Sequence, residues 1–170
     1  MDIYLLDKSV VRRILNALWR LYQDKELSLE ETISLAAFEW LLQNSPGAIA
    51  ISEATENILK RLRNIPQTAL LLRELKTVTP SKYFRRWARR LRGLGYTRED
   101  AKLLSLGTFG MYEEKLVEGC KIITYDLRLI NKYKLDYDRI QLELEKMRRS
   151  LKPPYRIVGL PKVVAPESML

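Results

Sequence analysis

Short apolar segments alternate with helical patterns along this chain, and that alternation constrains the fold more than any other feature. Residues 3–6, 48–51, 121–124 and 155–158 each have the apolar composition of a buried strand. A polar residue and then a helical pattern follow each of the first three. Strands that alternate with helices form a parallel sheet with helices on both faces. The sequence therefore predicts an α/β fold.

Two capping boxes mark the starts of helices. In residues 28–31 the sequence Ser-Leu-Glu-Glu predicts a helix that runs toward Leu42 and is stopped by Asn-Ser-Pro-Gly at 44–47. In residues 97–100 the sequence Thr-Arg-Glu-Asp predicts a second helix, which we expect to end near Gly119.

Apolar residues recur at helical spacing in two further stretches. Phe84, Trp87, Ala88 and Leu91 predict an amphipathic helix. The same spacing predicts a helix over about 136–151, with acidic residues at its start and basic residues at its end, as the helix dipole favours. Without internal repeats or flexible linkers, residues 1–170 are expected to form a single domain.

The amino-acid composition restricts the chemistry that is available to the protein. There is no histidine and one cysteine, Cys120. Histidine-based nucleophile systems, the usual zinc sites and internal disulfides are therefore excluded. Carboxylates, hydroxyls, lysines and arginines must carry any catalysis.

The net charge of +9 favours a polyanionic partner, and nucleic acid is the first candidate. No apolar run is long enough for a signal peptide or a membrane span, so we expect a cytoplasmic protein without membrane contact.

Acidic residues follow the predicted strands. Asp7 comes directly after the first strand, Glu53 and Glu56 after the second, and Asp126 after the third. The carboxyl ends of parallel strands lie along one sheet edge, where ligands bind, and Asp100 reaches the same edge if its helix packs beside the first strand. The alternative is that Asp7, Asp100 and Asp126 only cap helix N-termini.

Carboxylates that are close together repel each other, and Mg²⁺ or Mn²⁺ are the ions that oxygen ligands hold best. A group of carboxylates that holds such an ion beside a surface that attracts phosphate indicates metal-assisted hydrolysis of phosphodiester bonds. This reaction needs no histidine.

Four segments, in order along the chain, resemble motifs of the PIN domain nucleases, a family that includes VapC-type toxin ribonucleases. They are an opening strand with a D-x-S motif (4–10), a glycine followed by a helical Asp-Ala pair (95–101), a strand ending in T-x-D (122–126), and a closing strand with a Pro-Glu tail (161–170).

The resemblance implies one PIN-like domain with a parallel sheet of four to five strands and an acidic pocket for Mg²⁺ or Mn²⁺. When the family's motifs are matched to this sequence residue by residue, the resemblance also implies that Asp7, Asp100 and Asp126 are metal ligands and that Ser9 and Thr124 are supporting hydroxyls. RNA is the implied substrate, and an antitoxin or a second copy of the chain is a possible partner.

The resemblance does not decide which residue is the fourth catalytic acid. Glu56 fits by position after the second strand, and Glu53 remains the alternative. Residues 127–131 carry no further acid, and residues 136–151 form an added helix, either packed on the core or presented to a partner. The expected function is therefore a metal-dependent endoribonuclease, with a catalytically degenerate RNA-binding or assembly protein as the alternative.

Residues 82–92 contain six basic residues and no acid. Helix faces that are merely solvated normally mix the two signs of charge, so Arg85, Arg86, Arg89 and Arg90 are predicted to contact RNA phosphates. Arg12 and Arg13 on the first helix are further candidates of the same kind. The alternative for all of them is a solvated face.

Overall fold

The computed structural model describes residues 2–44 and 48–170. The strands in these ranges are β1 (Ile3–Leu6), β2 (Ala48–Ser52), β3 (Lys76–Pro80), β4 (Gly110–Tyr112), β5 (Lys115–Leu116), β6 (Lys121–Ile123) and β7 (Lys162–Val164). The α-helices are α1 (Lys8–Tyr22), α2 (Leu29–Asn44), α3 (Glu53–Arg61), α4 (Pro66–Glu74), α5 (Phe84–Gly93), α6 (Arg98–Phe109) and α7 (Leu127–Arg148). None of these helices is both long and apolar enough to cross a membrane.

The strands form one mixed sheet in the order β5-β4-β3-β2-β1-β6-β7. Five neighbouring strands are parallel to one another, namely β3, β2, β1, β6 and β7. In contrast, β4 and β5 form an antiparallel hairpin beside β3. The α/β class is therefore confirmed. The sheet differs from the prediction because it has seven strands and is not wholly parallel.

Each face of the sheet carries its own apolar core. Leu5 and Ile122 point toward α5, α6 and α7, whose Trp87 and Leu104 are buried against them. Leu6 and neighbouring side chains point the other way, toward α1 to α4. The central strands are buried on both faces, which is why the sequence shows them as continuous apolar runs.

The chain reverses its direction of travel across the sheet at β1. The strands β1, β2 and β3 follow one another on one side, and β6 and β7 lie on the other side of β1. Open α/β sheets bind ligands at the carboxyl ends of strands that flank such a reversal. The loops after β1 and β6 are therefore the expected location of a site.

Both predicted helix starts are confirmed, the first with both hydrogen bonds of its capping box and the second with the bond to the N-cap side chain. The backbone N–H of Glu31 donates to Ser28 Oγ and that of Ser28 donates to Glu31 Oε1, each at 3.1 Å. At the second box, Thr97 Oγ1 accepts from the backbone N–H of Asp100 at 3.2 Å. The amphipathic helix over 84–91 is also confirmed, as α5. In the stop signal predicted at 44–47, residues 45–47 lie outside the described ranges.

The expectation that the second capped helix reaches Gly119 was wrong. The helix α6 ends at Phe109, and the β4–β5 hairpin follows. A Cβ at Gly110 would lie 2.3 Å from the carbonyl oxygen of Leu106, so glycine is required where the chain leaves the helix. Glu113 and Glu114 form the tight turn with φ of 49° and 64°, a conformation that these residues rarely signal in a sequence.

The predicted strand over 155–158 was also wrong. Residues Tyr155–Ile157 form a short 3₁₀ helix, and Ile157 is 66% exposed. The backbone N–H of Tyr155 donates to the carbonyl of Lys152 at 3.0 Å, so the segment turns instead of extending. The strand that closes the sheet is β7, within the segment 161–170.

The helix predicted over 136–151 is not a separate element. It is the second half of α7, which begins directly after Asp126 and continues to Arg148. Ile140, Leu144 and Met147 are buried on its inner face, so the amphipathic pattern reflects packing on the core.

Candidate functional site

Asp7 lies where β1 ends and α1 begins. Its Oδ2 atom accepts a hydrogen bond from Thr124 Oγ1 at 2.8 Å and another from Ser9 Oγ at 3.1 Å. Although Asp7 occupies the N-cap position of α1, its side chain makes no capping hydrogen bond. Its Oδ1 atom has no hydrogen-bond partner among the residues that the structure describes. The carboxylate is thus held in place by two hydroxyls and makes no hydrogen bond to the free N–H groups of the helix end.

Thr124 connects the loops after β1 and β6. It is buried, and its hydroxyl donates to Asp7 while accepting from the backbone N–H of Asp126 at 3.0 Å. The register that pairs Leu6 with Ile123 brings these loops side by side. A single hydroxyl therefore fixes the position of Asp7 relative to the loop that carries Asp126.

Asp126 is the N-cap of α7 and makes the capping bond that Asp7 lacks. Its Oδ1 atom accepts from the backbone N–H of Leu129 at 3.1 Å. This bond satisfies one of the free N–H groups in the first turn. The side chain of Asp126 therefore already has a structural role.

Asp100 lies in the first turn of α6. The pKa of its carboxyl is raised, mainly because burial disfavours the charged form and further because the charges of Asp126, Asp7 and Glu99 repel it; a hydrogen bond from Thr97 opposes these effects. The charges of Asp7 and Asp126, which follow β1 and β6, therefore reach Asp100 in the first turn of α6.

Asp7, Asp100 and Asp126 do not by themselves form a complete metal site in this arrangement. Within residues 2–44 and 48–170, no three His, Cys, Asp or Glu side chains are arranged to hold one ion together. The chemistry of the donors does fit Mg²⁺ or Mn²⁺, because the carboxylate oxygens of Asp7, Asp100 and Asp126 are the hard ligands that these ions select.

Glu56 points into a different environment. Its carboxylate accepts from Lys60 Nζ at 2.8 Å and from the hydroxyl of Thr77 on β3. These two hydrogen bonds keep the pKa of Glu56 below its usual value, although burial opposes the shift. Glu53, which precedes it by one helical turn, is exposed and lies on the wall of a cavity that Asp7 also lines.

This cavity has a volume of about 440 Å³ and opens at the carboxyl ends of β1, β2 and β3. Its inner wall is largely apolar, and its polar lining includes Asp7 with Lys8, Glu53, Glu99 and Lys102. Lys8 and Glu99 form an ion pair at 3.6 Å that links the first turns of α1 and α6. Sequence reasoning missed the cavity, because its lining comes from several elements that are distant along the chain.

The four arginines predicted to bind RNA have different surroundings on α5. Arg90 pairs with Glu143 of α7 at 3.3 Å, and Arg86 donates to Ser150 Oγ at 3.3 Å. Arg85 and Arg89 are exposed and form no ion pair with any residue in the described ranges. These two side chains remain the most available to an external anion.

The two arginines proposed on α1 also differ. Arg12 is exposed, whereas Arg13 pairs with Glu30 of α2 at 2.5 Å and lies 4.7 Å from the centre of the Tyr125 ring. The contacts of Arg13 join α1, α2 and the loop after β6, so its charge is already used within the protein.

Comparison with known proteins adds no relative to these observations. No family model matches the chain, and neither the curated proteins nor the solved structures contain a significant match.

Proposed function

We propose that this protein is a metal-dependent endoribonuclease with a PIN-like fold, and that Asp7, Asp100 and Asp126 hold Mg²⁺ or Mn²⁺. The observation that carries the proposal is the state of Asp7. Two hydroxyls orient its carboxylate, its side chain caps no helix, and one carboxylate oxygen stays available. Such an arrangement is typical of a ligand whose orientation is set by neighbouring groups.

When bound, the metal ion would activate water and neutralise charge on the scissile phosphate. Asp7 and Asp100 would supply carboxylate oxygens. Burial is the main cause of the raised pKa of Asp100, and repulsion from Asp126 and Asp7 adds to it; a cation between the carboxylates would relieve that repulsion. Thr124 would keep Asp7 oriented toward that position. Ser9, which donates to the same carboxylate oxygen, would assist it.

RNA is the proposed substrate because the protein combines this acidic site with a net charge of +9. Arg85 and Arg89 would bind phosphates of the RNA beyond the cleaved bond. A role as the toxin of a toxin–antitoxin pair is part of the same proposal, with an antitoxin or a second copy of this chain as the partner. Such a protein would act in the cytoplasm.

A second candidate is a catalytically degenerate PIN-like protein that binds RNA or assembles with other molecules. The specific observations in its favour are the structural roles of two of the predicted acids. Asp126 caps α7, and Glu56 is engaged by Lys60 and Thr77.

One experiment separates the two candidates. A labelled single-stranded RNA is incubated with the wild-type protein and with Asp7→Asn while the Mn²⁺ concentration is varied. The nuclease proposal expects cleavage by the wild type that depends on Mn²⁺ and is lost in the variant. RNA binding without cleavage at any Mn²⁺ concentration supports the degenerate protein.

A further inference from the structure

The cavity beside Asp7 has a shape and lining that the proposed nuclease chemistry does not use. Its apolar wall consists mainly of Ile58, Val78, Pro80, Phe84, Leu103 and Leu106. At about 440 Å³ its volume is within the range of pockets that enclose small organic ligands. Neither a metal ion nor a phosphate group gains from an apolar wall of this kind.

The polar groups of the lining include donors and acceptors. Lys102 supplies an ammonium donor and Glu53 a carboxylate acceptor, while Lys8 and Glu99 are paired with each other at the exposed edge of the cavity. A nucleobase has apolar faces and an edge that carries both donors and acceptors, so it matches an apolar pocket with a mixed polar lining.

Phe84 connects the cavity with the arginine-bearing helix. It is the first residue of α5 and also lines the cavity, and the exposed Arg85 follows it directly. The backbone carbonyl of Phe84 accepts from the buried Ser105 Oγ at 2.7 Å, which fixes the start of α5 against α6. This bond fixes the backbone that carries the Phe84 ring, and the ring, as part of the cavity wall, offers a stacking surface where a strand bound along α5 would reach the site.

We propose that the cavity is a nucleobase pocket, which takes one unpaired base of a single-stranded RNA beside the phosphate that Asp7 serves. The inference rests on the proposed function, since it adds the recognition of a flipped-out base to the same site. It makes single-stranded RNA the substrate class, because a base paired within a duplex cannot enter the cavity.

The test compares two ligands with the same backbone charge. Binding of a labelled uridine decamer and of an abasic ribose-phosphate decamer is measured in EDTA, so that neither metal nor cleavage affects the result. We expect the wild-type protein to bind the uridine decamer about tenfold more tightly, the size of one base stacking on an aromatic side chain. Equal affinity for the two ligands would overturn the proposal.

Two variants form a matched pair for this comparison. Ile58 on α3 lines the cavity and Leu70 on α4 does not, yet their exposed fractions are 45% and 47% and both helices have 9 residues. Ile58→Asn should abolish the preference for the uridine decamer, whereas Leu70→Asn should keep it. Retention of the preference in Ile58→Asn contradicts the proposal. Melting curves of both variants verify that they are folded.

A third variant tests the aromatic contact itself. Phe84→Leu keeps an apolar side chain but loses the stacking face, and we expect it to reduce the preference at least about threefold. An unchanged preference would show that the base does not stack on Phe84 and would contradict the proposed pocket.

The outcome is independent of the nuclease assay. A base preference that depends on Ile58, in a protein that never cleaves RNA with Mn²⁺, would support the pocket and reject the nuclease. Cleavage with Mn²⁺ by a protein that binds both decamers equally would reject the pocket and support the nuclease.

Discussion

The region around Asp100 and the region around Glu56 place a carboxylate early in a helix, with opposite electrostatic results. Glu56 is paired with Lys60 and Thr77, and these contacts lower its pKa. Asp100 is partly buried near Asp126 and Asp7, and its pKa is raised. A carboxylate with its own counter-charge stabilises the fold, whereas one surrounded by like charges is suited to binding a cation.

The arginines of α5 show the same contrast, here between a positive charge that is paired within the protein and positive charges that are exposed. Arg90 is paired with Glu143 across the interface between α5 and α7. Arg85 and Arg89 face solvent and have no acidic partner in the part of the chain that the structure describes. The comparison thus predicts which charged residues affect function and which affect stability.

The largest expected effect comes from Asp7. Asp7→Asn should reduce RNA cleavage with Mn²⁺ by at least about a hundredfold, because charge stabilisation by a catalytic metal is worth several kcal/mol. The free energy of unfolding should change little, since the side chain caps no helix and the amide oxygen of asparagine can still accept from Thr124 and Ser9. Cleavage rates and urea unfolding curves measure the two quantities.

Glu56→Gln is the control for Asp7→Asn, because it also replaces a carboxylate with an amide early in a helix. It should leave cleavage within about twofold of the wild type. If Glu56→Gln lost as much cleavage as Asp7→Asn, Glu56 would also be needed for catalysis. The proposed difference between a structural carboxylate at Glu56 and functional carboxylates near Asp100 would then be wrong.

The next effect concerns the exposed arginines. The double variant Arg85→Gln and Arg89→Gln should weaken binding of single-stranded RNA several-fold for all sequences, and should reduce the salt slope by about 0.7 for each lost phosphate contact. Arg90→Gln should leave the slope nearly unchanged, because Arg90 is engaged by Glu143. Binding in Ca²⁺ over a salt series checks both statements, and identical slopes in all three proteins would contradict them.

The third effect is on stability. Glu56→Gln should lower the free energy of unfolding at pH 7 by about 1 kcal/mol, because it removes an ion pair and weakens a partly buried hydrogen bond. Since the folded-state pKa of Glu56 lies below its ordinary value of 4.5, this contribution is present above pH 4.5 and is lost as the pH falls through the folded-state pKa. Unfolding curves at several pH values should therefore converge for wild type and variant in acid.

The sequence predicted the central strands because each is apolar on both faces, and it predicted two helix starts from their capping boxes. It missed β3, in which Val78 is the only buried residue, and it missed α4. A strand at this position is recognised from its neighbours in the sheet, and its own composition does not reveal it. The β4–β5 hairpin was missed because a Glu-Glu turn lacks the usual glycine or asparagine.

The site was predictable to a smaller extent. The placement of Asp7 and Asp126 after parallel strands follows from the chain order, and the bridging hydroxyl of Thr124 agrees with the T-x-D motif. The sequence did not decide between Glu53 and Glu56, since both follow β2 within a helical turn. Glu56 is paired with Lys60 and accepts from Thr77 on β3, a strand that the sequence did not reveal, whereas Glu53 is exposed on the cavity wall.

The smallest predicted effect concerns Asp100. Asp100→Asn should raise the free energy of unfolding at pH 7 by a few tenths to about 1 kcal/mol, because it removes a partly buried charge that lies near Asp126 and Asp7. The folded-state pKa of Asp100 lies above its ordinary value of 3.8, so the folded protein takes up the proton first as the pH falls. The destabilisation is therefore full at neutral pH, decreases as the pH falls through the folded-state pKa, and is absent below about pH 4.

Glu99→Gln is the matched control, because Glu99 lies in the same helical turn but is exposed and pairs with Lys8. It should give no gain in stability at any pH, since the loss of its ion pair with Lys8 and of a favourable charge at a helix N-terminus offsets the relief of its weak repulsion of Asp100. Saturating Mn²⁺ should reverse the order of wild type and Asp100→Asn, because an ion held by Asp100 stabilises the wild type more. A clear loss of stability in Asp100→Asn without metal would instead mean that Asp100, like Glu56, is a structural residue.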